Sequence, residues 1–409
     1  MAVHDEIGRL VGNTAFEDLE ITLMAFWKKY SICFPSHQVF QEGNGLDLRR
    51  CIPVYMHGDE GRSFKKSGVL LINLQGAIGK GSEPFLKKHE LNERFRQISM
   101  GLNIGGHSLH SFASRLLYCS MQRKFYAKQP QVLENLLDNL ATQLLRLQQG
   151  FEYRQQKWHI VLLGVKGDLP WLTKAAGFQR HFLRAQRSLN RKSKEPPVGV
   201  CFLCHAGRSR VPYEDFSDGA AWTRDGCDLP WSRAPSMSRL YHDPFQPSAL
   251  YKLDIFHNFH GGAGKDWVAS AMTEALSLIP GTSRDAKIDS MAQIMRQWGR
   301  IGPQNRPHSG DFCVDRIGLT SYQVCPDSSW SKHNDTTIYM RFLQYFLHAR
   351  PEHAQNEKLS LIYKATCAIN LSFQLLYEAK SKIHQQGALL SGKGFVERAD
   401  VMYINGYMR

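Results

Sequence analysis

The sequence predicts an α/β protein, with a sheet in its first half and a mostly helical C-terminal part. Three observations predict it. Two short β-rich runs, 52–56 and 69–74, flank a polar loop that holds Asp59 and Glu60, and they read as a hairpin. The stretch "QVLENLLDNLATQLLRLQQ" repeats leucine at helical spacing (Leu133, Leu136, Leu137, Leu140, Leu144), and the apolar run "HIVLLGV" that follows has the length of a buried strand. Beyond residue 251 the periodic segments are helical, at 264–279, 285–298, 335–349 and 357–385.

Taken in order, residues 1–50 form an N-terminal helical segment, with "FEDLEITLMAFWKKYS" as its amphipathic helix and a Gly-rich turn region after it. Residues 51–182 hold the hairpin, a run at 109–119 that reads as strand or helix, the leucine helix and the buried strand. Residues 183–250 change character: "RAQRSLNRKSKEPP" is basic, the following stretch is aromatic and turn-rich, and no period is visible, so an irregular Cys-containing insertion is expected. Residues 251–409 make the helical remainder.

Of the 409 residues, 43% are hydrophobic and 22% charged, which excludes a disordered chain. Lys and Arg number 51 against 37 Asp and Glu, a net charge of +14 that favours polyanionic partners, nucleic acid first; the alternative is a merely basic protein. The nine cysteines are odd in number and follow no secretory leader in a chain too large to need staples, so a reducing compartment is expected. No stretch reaches the roughly eighteen apolar residues of a membrane span, and a soluble intracellular protein is expected.

Two carboxylates share one setting. Asp59 ends "IPVYMHGD" and Asp168 ends "IVLLGVKGD", each just past an apolar strand. On neighbouring strands they would project at one sheet edge and could share Mg²⁺, a hard cation that takes oxygen ligands. The alternative for Asp168 is a helix N-cap, with Pro170 in the first turn. "CFLCH" gives Cys201, Cys204 and His205 the C-x₂-C spacing of half a zinc site, which His181, Cys227 or His242 could complete; two ordinary cysteines are the alternative. "GGAGK" is not a P-loop: Phe259 stands where its first glycine should be, and Asp266 follows Lys265 where Ser or Thr should be. His257 and His260 are three apart, but Gly261, Gly262 and Gly264 argue against a continuous helix around them.

Three stretches, taken in order, resemble the transposases of CACTA and Plavaka DNA elements. "GDLPWLTKAAGFQRHF…CFLCH" resembles their G-D-x-P…G…C-x-x-C block. "LDIFHNFHGGAGKDW" resembles their D-x-M-H-N-x-x-x-G segment, matching at Asp254, His257, Asn258 and Gly261, with Phe256 in place of Met. "VYMHGDEGRSFKKSGVLLINLQ" occupies the place of their first catalytic strand; the resemblance spans roughly residues 51 to 280. It implies an RNase H-like mixed sheet flanked by helices, with an insertion after the second acid. It also implies Mg²⁺ (or Mn²⁺) held by a D-D-E or D-D-D set, for DNA strand cleavage and transfer. Asp59 would be the first acid and Asp168 the second, while Cys201 and Cys204 would belong to a zinc-like element. The third acid has no diagnostic context: Glu274 is the candidate, with Glu378 and Asp254 as alternatives. No zinc finger or helix-turn-helix precedes the core.

The resemblance thus implies a nuclear protein that acts on DNA, with homo-oligomerisation left open and no membrane partner. A copy lacking the third acid would keep the fold without cutting. In that second reading, a non-catalytic nucleic-acid-binding protein, Arg184, Arg187, Arg191, Lys192 and Lys194 would contact phosphates and Trp222 and Trp231 would stack on bases; a solvated loop is the alternative for the basic run. A hydrolase of another substrate, using the paired carboxylates, is a third.

Overall fold

Alternation along residues 51–62 builds the sheet. In the computed structural model, strand β1 (Cys51–Arg62) buries Ile52, Val54 and Met56 completely on one face, while Tyr55, His57 and Asp59 on the other are only partly buried. That is the period-two signature of a strand with two unlike faces. The structure describes residues 7–11, 16–62, 68–78, 115–182, 198–215, 217, 219–223, 229–310, 312–319, 321, 326, 328–330 and 333–381. These residues divide at Leu253/Asp254 into two compact units.

The first unit is a mixed sheet flanked by helices. The expected hairpin is longer than its apolar runs: β1 pairs antiparallel with β2 (Gly68–Gly76), and β2 pairs antiparallel with β3 (Arg115–Gln122), which settles the run at 109–119 as strand where it is described. Helix α3 (Pro130–Gln149) then crosses to β5 (Gln156–Gly167), which lies parallel to β1. Strand β4 (Phe151–Tyr153) forms a tight hairpin with β5 through Arg154 and Gln155, both at positive φ as a two-residue turn demands. Strand β6 (Tyr251–Leu253) adds to β5 in parallel, so the ladder runs β3-β2-β1-β5-β6, with β4 on the same edge as β6.

The flanking helices follow their sequence periods. In α3 Leu133, Leu137, Leu140, Ala141 and Leu144 are buried, the stripe that the leucine spacing predicts. Helix α2 (Phe16–Cys33), which follows the short α1 (Ile7–Leu10), buries Leu19, Leu23, Phe26, Trp27 and Tyr30 and is tied to the sheet where Trp27 Nε1 donates to the Cys51 carbonyl at 2.8 Å. Helix α4 (Leu169–Ala176) packs Trp171 against Gly58: a Cβ there would sit 2.1 Å from the indole, so only glycine fits. Within the insertion, the described residues form short 3₁₀ turns and isolated bridges, Val198 with Arg208 and Arg208 with Val211.

The second unit is helical. A wide, π-type turn over Phe256–Ala263 leads into α5 (Gly264–Ala275), followed by α6 (Arg284–Ile301), the short α7 (Val314–Ile317), α8 (Asp335–His348) and α9 (Glu357–Ser381). The glycines do not prevent helix here; they break it once, at Gly262, whose ψ of −123° is non-helical. Met272, Met291, Met295, Tyr339, Phe342 and Phe346 anchor this unit's own core. No helix among the described residues is long and apolar enough to cross a membrane.

Candidate functional site

Asp168 stands where β5 stops. Gly167, at φ +152°, turns the chain out of the strand, and Asp168 then caps α4: its Oδ1 accepts the Trp171 amide at 2.8 Å. The capping alternative therefore describes its geometry. The same residue also lines a cavity of about 250 Å³ with Glu60, Arg123, Tyr126, Trp171 and Lys174. Glu60 is the most heavily engaged group there. It accepts from Tyr126 Oη at 2.7 Å and from Lys174 Nζ at 2.9 Å, and lies 3.3 Å from Arg123 Nη1. Burial disfavours its charge, but the hydrogen bonds from Lys174 and Tyr126 and the two cations outweigh that and hold its carboxyl below the usual range. Burial and the bond to Glu60 push the Tyr126 phenol well up.

Asp59 does not line this cavity. The β1–β5 pairing ends at His57↔Lys166, two residues short of each acid, and Asp168 has already left the strand for its helix cap. Successive side chains of a strand point to opposite faces. Asp59 therefore shares a face with Tyr55 and His57, while Glu60 shares the other with Gly58 and the cavity. The carboxylate that joins Asp168 is Glu60, one position from the expected one. The alternation of buried residues in "CIPVYMHGDE" carried that signal.

The face bearing Asp59 is polar. Tyr55 and His57 on β1 stand beside Asn73 and Gln75 on β2, with Lys166 on β5 and Lys252 on β6 in the same register rows. Lys166 Nζ lies 3.6 Å from the Tyr55 ring centre, and Lys252 Nζ lies 5.0 Å from that of Phe34. Burial lowers the Lys252 ammonium to about 8, against the pull of Asp243. Burial, then the Lys252 and His242 charges, drive His37 down to about 3. Sequence reasoning singled out neither lysine, because pairing across β5 and β6 is invisible without the register.

The remaining expected residues fall elsewhere. Cys201 and Cys204 are together: a hydrogen bond with Cys204 lowers the Cys201 thiol to about 7 against the effect of burial, assisted by the Leu203 and Cys204 amides and the Arg180 charge. The Leu203 N–H···Sγ distance is 3.3 Å. His205 turns to Arg208 instead, with Nδ1 3.1 Å from Nη1. Trp222 donates to the Asp215 carbonyl at 2.6 Å, and Trp231 is buried against Phe178 and Tyr251, so its ring is part of the core. In the second unit Asp254 Oδ2 lies 2.6 Å from His257 Nδ1, and Glu274 pairs with Lys358. Arg184, Arg187, Arg191, Lys192, Lys194 and Cys227 lie outside the described residues, as does the side chain of Glu378.

Among the described residues no three His, Cys, Asp or Glu side chains come together as a metal cluster. Asp168 lines the cavity beside Glu60 and commits one oxygen to its cap, while Asp59 does not line that cavity, so the two do not fit a shared Mg²⁺ pair in this arrangement. Cys201 and Cys204, with a lowered thiol and an amide donating to sulfur, fit half a zinc site.

No protein-family model matches the chain, and no curated protein matches it.

Proposed function

We propose that this chain is a transposase-derived, RNase H-like protein that binds nucleic acid, DNA first, in the nucleus, and that it does so without an assembled catalytic metal set. The single observation behind this reading is the ladder: two antiparallel strands, then three mutually parallel ones, in the order β3-β2-β1-β5-β6, with a helix before β5 and another after it. The resemblance implies a mixed sheet flanked by helices, and the ladder is of that kind. The surplus of 51 Lys and Arg over 37 Asp and Glu favours a phosphate backbone as the partner. The acids argue for binding over cutting: Glu60 is neutralised by Lys174 and Arg123, and Asp168 serves as a cap.

Metal-dependent cleavage and strand transfer is the second reading, and one observation favours it: Asp59 and Asp168 each lie two residues beyond the last β1–β5 pair, His57↔Lys166. A nicking assay separates the two. The full chain is incubated with supercoiled DNA in Mg²⁺, in Mn²⁺ and in EDTA, beside Asp59→Asn and Asp168→Asn. Binding that persists in EDTA with no nicking in either metal is the expected result. Nicking that needs metal and disappears in both variants would replace the binding reading with the catalytic one.

A further inference from the structure

The polar face of the first unit's sheet carries a row of bases. The register pairs His57 with Lys166 across β1 and β5, and Lys166 with Lys252 across β5 and β6. Residues paired this way point to one face with Cβ atoms roughly 5 Å apart, where like charges repel. Two lysines therefore stand side by side with a histidine next in line. Asn73, the partner of His57 on β2, extends the row.

The lysines are placed, not splayed into water. The Lys252 stem lies across Gly164, where a Cβ would come within 2.8 Å of Cγ, so a larger residue in β5 would displace it. Lys166 rests on the Tyr55 ring and Lys252 on the Phe34 ring. The burial that lowers Lys252 to about 8 marks a setting in which its charge is under-solvated. Asp243 attracts Lys252, and Asp59 follows His57 along the same face of β1. His37 and His242 adjoin Lys252 from the other side. Lys166 and Lys252 each stand one residue from the carboxyl end of their strand, the end at which open α/β sheets receive their ligands, while β1 runs on past His57 to Arg62.

We propose that Lys166 and Lys252, with His57 beside them, form an anion subsite that takes a phosphate group, a backbone phosphodiester when nucleic acid is bound. The anion site stands on the register alone; its assignment to a phosphodiester rests on the nucleic-acid reading above.

Thermal unfolding of the full chain tests it, in inorganic phosphate against chloride at matched ionic strength. Lys166→Met and Lys252→Met keep the unbranched stem and remove the charge. Phosphate should raise the parent's Tm saturably, and each variant should lose about tenfold or more in apparent phosphate affinity. In chloride each variant should still unfold cooperatively, so that the loss is read in phosphate affinity and not in folding. A short oligonucleotide should compete with phosphate in the parent and bind more weakly to both variants. Equal phosphate stabilisation of parent and variants, or none in the parent, would overturn the site. Phosphate binding lost in the variants with oligonucleotide binding untouched would uphold the anion site and remove nucleic acid from this face.

Discussion

The two faces of the first unit's sheet handle charge in opposite ways. On the face covered by α3 and α4, Glu60, Arg123, Lys174 and Tyr126 bond to one another around a small cavity, and Asp168 spends an oxygen on a helix cap. On the other, His57, Lys166 and Lys252 follow one another across three strands. A closed network of acids and bases has little left to offer a ligand. A row of lysines is a different kind of surface, positive in sum and able to attract an anion. The acids that the sequence advertises are therefore the residues least available for chemistry, and the unadvertised lysines are the better candidates for a partner.

The largest effect should come from breaking the junction between the faces. Gly167→Ala would force a side chain into φ +152° and bring a Cβ within 2.3 Å of the Gly58 carbonyl and the Trp171 ring. Strain and overpacking together predict a loss of about 3 kcal/mol or more in urea unfolding, or no folded protein. A loss below about 1 kcal/mol would mean that the strand ends do not meet this closely.

Asp168→Ala should cost about 1 kcal/mol, the worth of a helix cap, while Asp168→Asn, which can still accept the Trp171 amide, should stay within a few tenths of the parent. Equal losses for both would point to a role for the charge itself. Lys252→Met sharpens the contrast through pH. Its ammonium is lowered to about 8 by burial, so the unfolded chain holds the proton more tightly. The parent's stability relative to the variant should then rise between about pH 8 and pH 10, as the folded lysine loses its proton first. A flat difference would show that Lys252 is fully solvated. The smallest effect belongs to Glu60→Gln. The Glu60 carboxyl is held below its usual range, so its contribution should be present at neutral pH and fade as the solution is acidified through the carboxylate range. A difference that grows on acidification would contradict the network around it.

Much of this architecture was legible in the residues. Leucine spacing marked α3, "HIVLLGV" marked β5, and Pro170 and Gly177 bracketed α4, because local periodicity and end signals act over a few residues. The choice between Asp59 and Glu60 was legible too, since burying Ile52, Val54, Met56 and Gly58 fixes the face of every residue that follows. The lysine row was not. It exists only because β6 joins β5 some 85 residues later in register Lys166↔Lys252, and no local pattern encodes a long-range pairing. Trp231 shows the reverse error: an aromatic in a turn-rich stretch suggests a stacking platform, while its ring completes the core beside Phe178.

The most direct measurement is the salt dependence of oligonucleotide binding to the full chain in EDTA, for the parent and the Lys166→Met/Lys252→Met double variant. The binding reading predicts that the parent binds without metal and that the double variant's log–log slope is shallower by about 1 for each lysine removed. Superimposable slopes would take nucleic acid off the lysine row, and binding that appears only when Mg²⁺ is restored would contradict the binding reading.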